Sequence, residues 1–328
     1  MKISIIVPVY NVEVFIIECL DSIVMQKYDG ELECIIVDDC GTDNSIRLCE
    51  NYIEKYIGDI KFSIIKHKQN RGLSAGRNTG LKAATGDYVY FLDSDDYIEK
   101  DTIKALAKPL ETFIPDFVIG DYNLIGSTCL YPELRLNEGL YKGNNTIINS
   151  FCKDQWYMMA WNKLCNRQFL QKNNITFQEG LIHEDNLWSF TLACKASSMY
   201  VINTRMYNYR IRQNSITTND LTNVRKNHDA FLSVFTGMYK VYSESYTYNK
   251  AADDYLQHFC VSFLTTALRH NMDFCADYKV IYDTMHYQTF KKFLTGKIGF
   301  ISFIKRLHYS MPFTIAKKMA YFYIKTKA

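Results

Sequence analysis

Tyr88-Val89-Tyr90-Phe91-Leu92-Asp93-Ser94-Asp95-Asp96 decides how this chain folds: an unbroken apolar and aromatic run, stopped abruptly by carboxylates. A run without polar alternation is the pattern of a central strand buried on both faces. Working outward, β-rich runs recur at residues 3–9, 34–37, 62–66 and 117–119, and segments of helical spacing separate the first four runs in chain order. The helix expected at about 14–26 aligns Phe15, Cys19, Ser22 and Ile23 on one stripe, and that at about 45–57 aligns Ile46, Cys49, Ile53 and Ile57. This alternation predicts an α/β fold with a mostly parallel central sheet covered by helices on both faces. Ligands of such sheets bind beyond the carboxyl ends of the strands.

Those ends are acidic. The second strand ends in Asp38-Asp39-Cys40-Gly41-Thr42-Asp43 and the fourth in Asp93 to Asp96. Asp43 and Asp101 each precede a helical pattern and read as N-caps, because Asp accepts the orphan N–H groups of a first turn. The remaining carboxylates would repel one another unless a cation stood between them, and a divalent metal with oxygen ligands is the expected partner. Between these strands lies Asn70-Arg71-Gly72-Leu73-Ser74-Ala75-Gly76-Arg77-Asn78-Thr79-Gly80. Gly72 frees a turn, Ser74 is placed to cap a helix, and the helix start favours an anion, with Arg71 and Arg77 supplying charge for phosphate oxygens. No Walker loop and no G-x-G-x-x-G turn follows the first strand, which disfavours kinase, nucleotidyltransferase and dinucleotide-binding readings.

Four motifs then stand in order: Ser4 to Asn11; Val37-Asp38-Asp39 with Thr42-Asp43; Asn70 to Ser74 with Arg77-Asn78; and Gly86-Asp87-Tyr88 leading to Phe91 through Asp96. Together they resemble family 2 of the inverting glycosyltransferases, which have the GT-A fold. Weaker matches at Trp161-Asn162-Lys163-Leu164, His183-Glu184-Asp185, and Tyr209 to Arg212 with Ser215-Ile216 extend the resemblance over about 1–217. It implies that the backbone from Pro8 to Tyr10 and the Asp39 carboxylate hold a nucleotide base. It further implies that Asp93 faces the ribose or sugar, and that Asp95, in a D-x-D motif, binds Mn²⁺ or Mg²⁺ on the diphosphate, with Arg71 and Arg77 as helpers.

Asp185 is the expected general base, with Glu184 binding or orienting the acceptor, since neighbours on a helix point apart. His183 reads as a structural hydrogen-bond partner. Trp161 is weighed between core packing and stacking on a sugar ring. Cys40 stands where the family commonly has Gly, and Gly76 where it commonly has Ala.

Length and charge frame the rest. With 328 residues, 48% of them hydrophobic, the chain is large enough for about two domains. The net charge of +3 is too small to point to nucleic acid, yet it hides a split. No Asp or Glu follows Asp283, whereas nine Lys and Arg do, leaving 29 basic against 35 acidic residues upstream. Ten scattered cysteines without a C-x-x-C pair fit a reduced, cytoplasmic setting, and no apolar run reaches the length of a membrane span. The expected organisation is a GT-A domain over 1–217, a helical domain over 218–286, and a basic amphipathic tail over 287–328. The helical part would pack on the catalytic domain or on a second copy of the chain. The tail carries stripes of Phe290, Leu294, Ile298, Ile301 and Ile304, then Phe313, Ile315, Met319 and Phe322 behind Ser310 and Pro312. Its basic face suits an anionic membrane surface at the inner side of the cell membrane, or else simply solvent. The resemblance therefore implies a metal-dependent hexosyl- or N-acetylhexosaminyl-transferase, moving sugar from a UDP-linked or other nucleotide-sugar donor to a glycan or lipid-linked acceptor in polysaccharide assembly. The alternative is an inactive nucleotide-sugar-binding or scaffold protein of the same fold.

Overall fold

Strand β1 (Lys2–Val9) is buried along nearly its whole length, from Ile3 to Val9, as its uninterrupted apolar sequence requires. Each such Ile or Val contributes about 1.5–3 kcal/mol relative to an exposed position. The structure is a computed structural model that describes residues 1–126, 132–211, 221–245, 248–295 and 300–327. It contains two compact units, Met1–Thr218 and Asn219–Ala328.

In the first unit β1 is followed by α1 (Ile16–Val24), β2 (Glu31–Asp38), α2 (Ser45–Lys55), β3 (Lys61–Lys66), α3 (Leu73–Ala83), β4 (Tyr88–Phe91), β5 (Tyr97–Ile98) and α4 (Thr102–Ala107). Then come β6 (Phe117–Ile125), β7 (Gly139–Lys142), α5 (Asn144–Cys152), β8 (Lys163–Asn166), α6 (Arg167–Lys172), α7 (Glu184–Lys195) and β9 (Ser198–Arg210). Among the described residues the sheet order is β3-β2-β1-β4-β8-β6-β9-β5, with β7 on β9. The first four of these strands pair in parallel; β8 runs antiparallel to both β4 and β6, and β6 returns to parallel against β9. Right-handed crossovers put α1 and α2 on one face and α3 on the other. The strand order reverses between β1 and β4, so a crevice opens beyond their carboxyl ends.

Several local expectations change. Ile57 lies beyond α2 and is fully exposed, because the chain leaves the helix after Lys55 and turns toward β3. Neither expected side-chain cap forms: Asp43 stands one residue before Asn44, the N-cap of α2, and accepts from Ser45 N at 3.0 Å and Glu13 N at 2.9 Å, while Asp101 occupies the N-cap of α4 without a side-chain bond. Ser74 is not the cap of α3: Gly72, at φ 84°, holds that position, and the Ser74 hydroxyl is buried without a hydrogen-bond partner. Gly80 lets α3 close on β1, since a Cβ there would meet Ile6 Cγ2 at 2.3 Å.

The second unit is helical: α8 (Leu221–Ser245), α9 (Lys250–Arg269), α10 (Phe274–Leu294), α11 (Phe300–Arg306) and α12 (Phe313–Lys325). Asn249 caps α9 through Ala252 N, and Arg306 pairs with Asp253 in the interior. The boundary expected at 286/287 falls inside α10, and Phe313 at the start of α12 packs on Tyr278 and Tyr282 of α10. Apolar packing, and not charge, thus groups the basic segment with the preceding helices. Leu294 and Ile304 are exposed, while Arg212, Ser215, Ile216, Ile298 and the side chains of Phe290 and Ile301 lie outside the described residues. No helix of the described residues is long and apolar enough to cross a membrane.

Candidate active site

The centre of the site is a buried arginine. Arg77 lies on the inner face of α3, wholly enclosed, with its guanidinium 5.1 Å from the centroid of the Phe177 ring. Nη2 donates to Asp93 Oδ1 at 2.8 Å; Nη1 donates to Glu184 Oε1 at 2.9 Å and to Asp185 Oδ1 at 2.7 Å. Arg77 was expected to face phosphate oxygens. Its position one turn after Gly72 instead turns it into the protein, where three carboxylates claim it. Burial works against the cation, yet Asp185, Asp93 and Glu184 hold its pKa above the ordinary arginine value.

Glu184 and Asp185 open α7, where a helix N-terminus favours negative charge. Adjacent helical residues were expected to diverge, but both reach Arg77 Nη1, because the guanidinium stands between them and the longer Glu side chain swings toward it. Burial is the main force raising both carboxyl pKa values, with Asp185 raising Glu184 further and Arg77 opposing in each case. His183 stands at the N-cap with φ 62°, and its carbonyl accepts from Asn186 N at 3.1 Å.

At the end of β2, the Asp39 carboxylate is buried and held by the Arg71 and Gly72 backbone amides at 2.8 and 2.7 Å. His67 Nδ1 lies 2.7 Å from Asp39 Oδ1, and His67 Nε2 lies 2.8 Å from Thr79 Oγ1. His67 went unnoticed in the sequence; the signal was there, since it directly follows β3 at the ligand-facing edge. Cys40 adopts φ 60°, a left-handed conformation that suits the Gly common at this position. Pro8 is buried at the end of β1 and Tyr10 beyond it is exposed. Arg71 reaches Glu179 through Nη2 at 2.8 Å, both side chains remaining nearly half exposed.

Among the four residues after β4 and Leu92, Asp96 is structural. It accepts from Tyr207 Oη at 2.6 Å and Arg210 N at 2.7 Å, and burial pushes its carboxyl pKa well above the ordinary value. Asp95 and Asp93 are less buried. Among the described residues no three His, Cys, Asp or Glu gather into a metal cage. The hard oxygen donors of Asp95 and Asp93 fit a different arrangement, in which one or two carboxylates share an Mg²⁺-like ion with the phosphates of a bound ligand. For Asp93 the cation required by charge balance is already present in Arg77.

The tryptophans belong to the core. Trp161 is 1% exposed, stacks on Tyr207 with centroids 4.3 Å apart and meets Tyr122 edge-on, so it presents no face to a sugar. Trp188 stacks on Phe177, and Trp156 donates from Nε1 to Ser150 Oγ.

Residues 4–173, more than half of the chain, match the family model described as glycosyl transferase family 2. The chain belongs to glycosyl transferase family 2. Within family 2 it is 32% identical to the glycosyltransferase GlyA of Streptococcus pneumoniae over 231 residues, 66% of this chain and 31% of that protein. It is 31% identical over 215 residues to the poly(ribitol-phosphate) beta-N-acetylglucosaminyltransferase TarS of Staphylococcus aureus, a match covering 65% of this chain and 36% of that protein. The chain therefore spans about a third of the length of these relatives. The family 2 fold is GT-A-like: the crystal structure of S. aureus TarS 1–349 superposes with a TM-score of 0.63 at 25% identity, covering 82% of this chain and 72% of that one. The same fragment in complex with UDP matches at a TM-score of 0.64 and 23% identity, covering 90% and 92%.

Proposed function

We propose that this family 2 chain transfers a sugar from a nucleotide-sugar donor to a hydroxyl acceptor with inversion at the anomeric carbon. The observation that carries this reading is the Arg77 knot, which joins Asp93, at the donor end of β4, to Asp185, on α7, through one guanidinium. In the reaction, Asp39 and the backbone from Pro8 to Tyr10 hold the base and Asp93 orients the ribose or sugar. Asp185 takes the proton of the acceptor hydroxyl as its oxygen attacks the anomeric carbon opposite the nucleotide. The sugar–phosphate bond breaks, and the nucleoside diphosphate leaves. A divalent ion held by Asp95 would stabilise the charge developing on that diphosphate. Arg77, committed to carboxylates, sets the base and does not touch phosphate.

A UDP-linked N-acetylhexosamine is the first donor to test, given the named activity of the Staphylococcus aureus relative. Calorimetry of UDP and UDP-, GDP- and ADP-sugars with Mn²⁺ is expected to give metal-dependent binding that chelator or Asp95→Ala removes. Failure of every nucleotide sugar to bind would overturn the reading.

The acceptor proposed is a glycan, carried on lipid. In support of a membrane surface, α12 leaves Ile315, Met319 and Phe322 exposed beside Lys318 and Lys325. The joint substitution Ile315→Glu and Phe322→Glu should abolish flotation with anionic liposomes, and negligible flotation of the unaltered chain would dispose of the idea.

A further inference from the structure

His67 joins the ends of two strands to a helix. Its backbone N–H donates to Asp38 O at 2.9 Å, continuing the β2–β3 ladder past Lys66. Its ring bridges the end of β2 and α3, with Nδ1 2.7 Å from Asp39 Oδ1 and Nε2 2.8 Å from Thr79 Oγ1. The His67 side chain is 5% exposed and that of Asp39 4%, so water competes little with either contact. With both nitrogens engaged, the imidazole is held in one orientation.

The partners decide what each nitrogen does. A carboxylate only accepts, so the hydrogen of the Asp39 contact sits on Nδ1 and His67 donates. In the neutral imidazole Nε2 then accepts, and Thr79 supplies its hydroxyl hydrogen. Among the described residues the Asp39 carboxylate receives three N–H groups: His67 Nδ1 and Arg71 N on Oδ1, and Gly72 N on Oδ2. A carboxylate offers about four acceptor positions, two on each oxygen. Oδ1 is therefore full, and Oδ2 keeps one position open.

Asp39 N in turn donates to Val9 O at 3.0 Å, which sets this carboxylate beside the backbone from Pro8 to Tyr10. We propose that His67 is a positioning residue, which fills the second acceptor position of Asp39 Oδ1 and leaves Oδ2 to read a single N–H of the nucleotide base. One open position suits uracil, whose ring offers one N–H between two carbonyls. Guanine presents two adjacent N–H groups, and a paired contact with them needs a free position on each oxygen. The inference deepens the reading that Asp39 holds the base and rests on it.

A mere strut between β2 and α3 would make the same contacts without touching recognition, so the test reads the base separately from stability. Calorimetry with Mn²⁺ present compares UDP with N3-methyl-UDP, which lacks that one N–H. The unaltered chain should bind UDP at least about tenfold more tightly, the scale of a hydrogen bond to a charged group. In His67→Leu, UDP affinity should fall about fivefold to tenfold while that of N3-methyl-UDP stays unchanged, and the preference for UDP over GDP should narrow. His67→Asn, whose side-chain N–H corresponds to Nδ1, should restore most of the discrimination. His67→Gln, whose amide corresponds to Nε2 and meets Thr79 alone, should not, and it takes the place of His67→Leu should that variant fail to fold. An equal loss for both ligands, or undiminished UDP affinity, would overturn the proposal. Equal affinities for the two ligands in the unaltered chain would instead sink the assignment of Asp39 to the base. The tie is read independently by the ring-nitrogen NMR shifts of His67 in the unaltered chain, where a proton is expected on Nδ1. A bare Nδ1 would equally refute the role.

Discussion

Two buried charge clusters sit at opposite ends of the same parallel strands, and they are built in opposite ways. At the amino end, one carboxylate meets four donors: Glu33 accepts from Ser4 Oγ at 2.5 Å, Lys2 Nζ at 2.6 Å, and Thr85 N and Oγ1 at 2.7 and 2.8 Å. At the carboxyl end, one guanidinium serves three carboxylates. Burial works to raise the pKa of Glu33 in the one cluster and of Glu184 and Asp185 in the other. For Glu33 the bonds from Lys2, Ser4 and Thr85 outweigh it and bring the pKa down to about 2. For Glu184 and Asp185 burial prevails. A surplus of donors ties strands together; a surplus of acid leaves carboxylates poised to accept a proton, which is what a base requires.

The comparison can be broken at several points, and the largest effect is expected at Asp185. Asp185→Asn should lower transfer by about 10²- to 10⁴-fold, the contribution of a positioned general base, while UDP binding by calorimetry persists. Retained turnover would mean that the acid-rich end is only structural. Arg77→Met should come next, at about 3–5 kcal/mol in urea unfolding, since it strands three buried carboxylates. A loss near zero would show that those acids are already neutral in the folded protein.

Glu33→Gln sharpens the other end, with an expected cost of about 1.5–3 kcal/mol at neutral pH, the scale of hydrogen bonds to a charged group. Because folding depresses the Glu33 pKa, its stabilisation is present above the ordinary value of 4.5 and is lost as pH falls toward about 2. The unfolding curves of Glu33→Gln and the unaltered chain should accordingly converge over that window. Glu184 and Asp185 carry the opposite sign: folding favours their protonated forms, so their contribution is complete in acid and fades as pH rises through the raised values. The acid limb of the rate profile should consequently lie above the ordinary aspartate range, and an ordinary limb would contradict the raised pKa. Smallest is Arg71→Ala. Its half-exposed pair with Glu179 should cost about 0–1 kcal/mol, so any marked loss of donor affinity would report phosphate contact.

Legibility differed between the same two ends. Strands β1, β2 and β4 were readable because burial on both faces leaves a continuous apolar run, whereas the edge strand β3 buries none of its residues and showed only as a β-rich run. By contrast, the run at 117–119 revealed only the first part of β6, whose pairing with β9 shifts register around Gly120 and Asp121, and β9 itself mixes polar and aromatic residues. Asp39, Asp93 and Asp95 could be found because strand ends are where such folds bind ligands. The partners of Arg77 could not, since Glu184 and Asp185 lie more than a hundred residues downstream and nothing local to α3 announces which way its inner face points. Trp161 shows the same limit, for spacing does not separate an aromatic ring offered to a sugar from one enclosed by tyrosines.

By itself the sequence determined the alternation of strands and helices, the acidic strand ends, the family motifs and the charge split at Asp283, because each is written in neighbouring residues. Only the tertiary structure decided what neutralises the acids and which carboxylates converge on it. Those depend on side chains from α3, the end of β4 and α7 meeting in low-dielectric surroundings, where a single guanidinium outweighs any local preference.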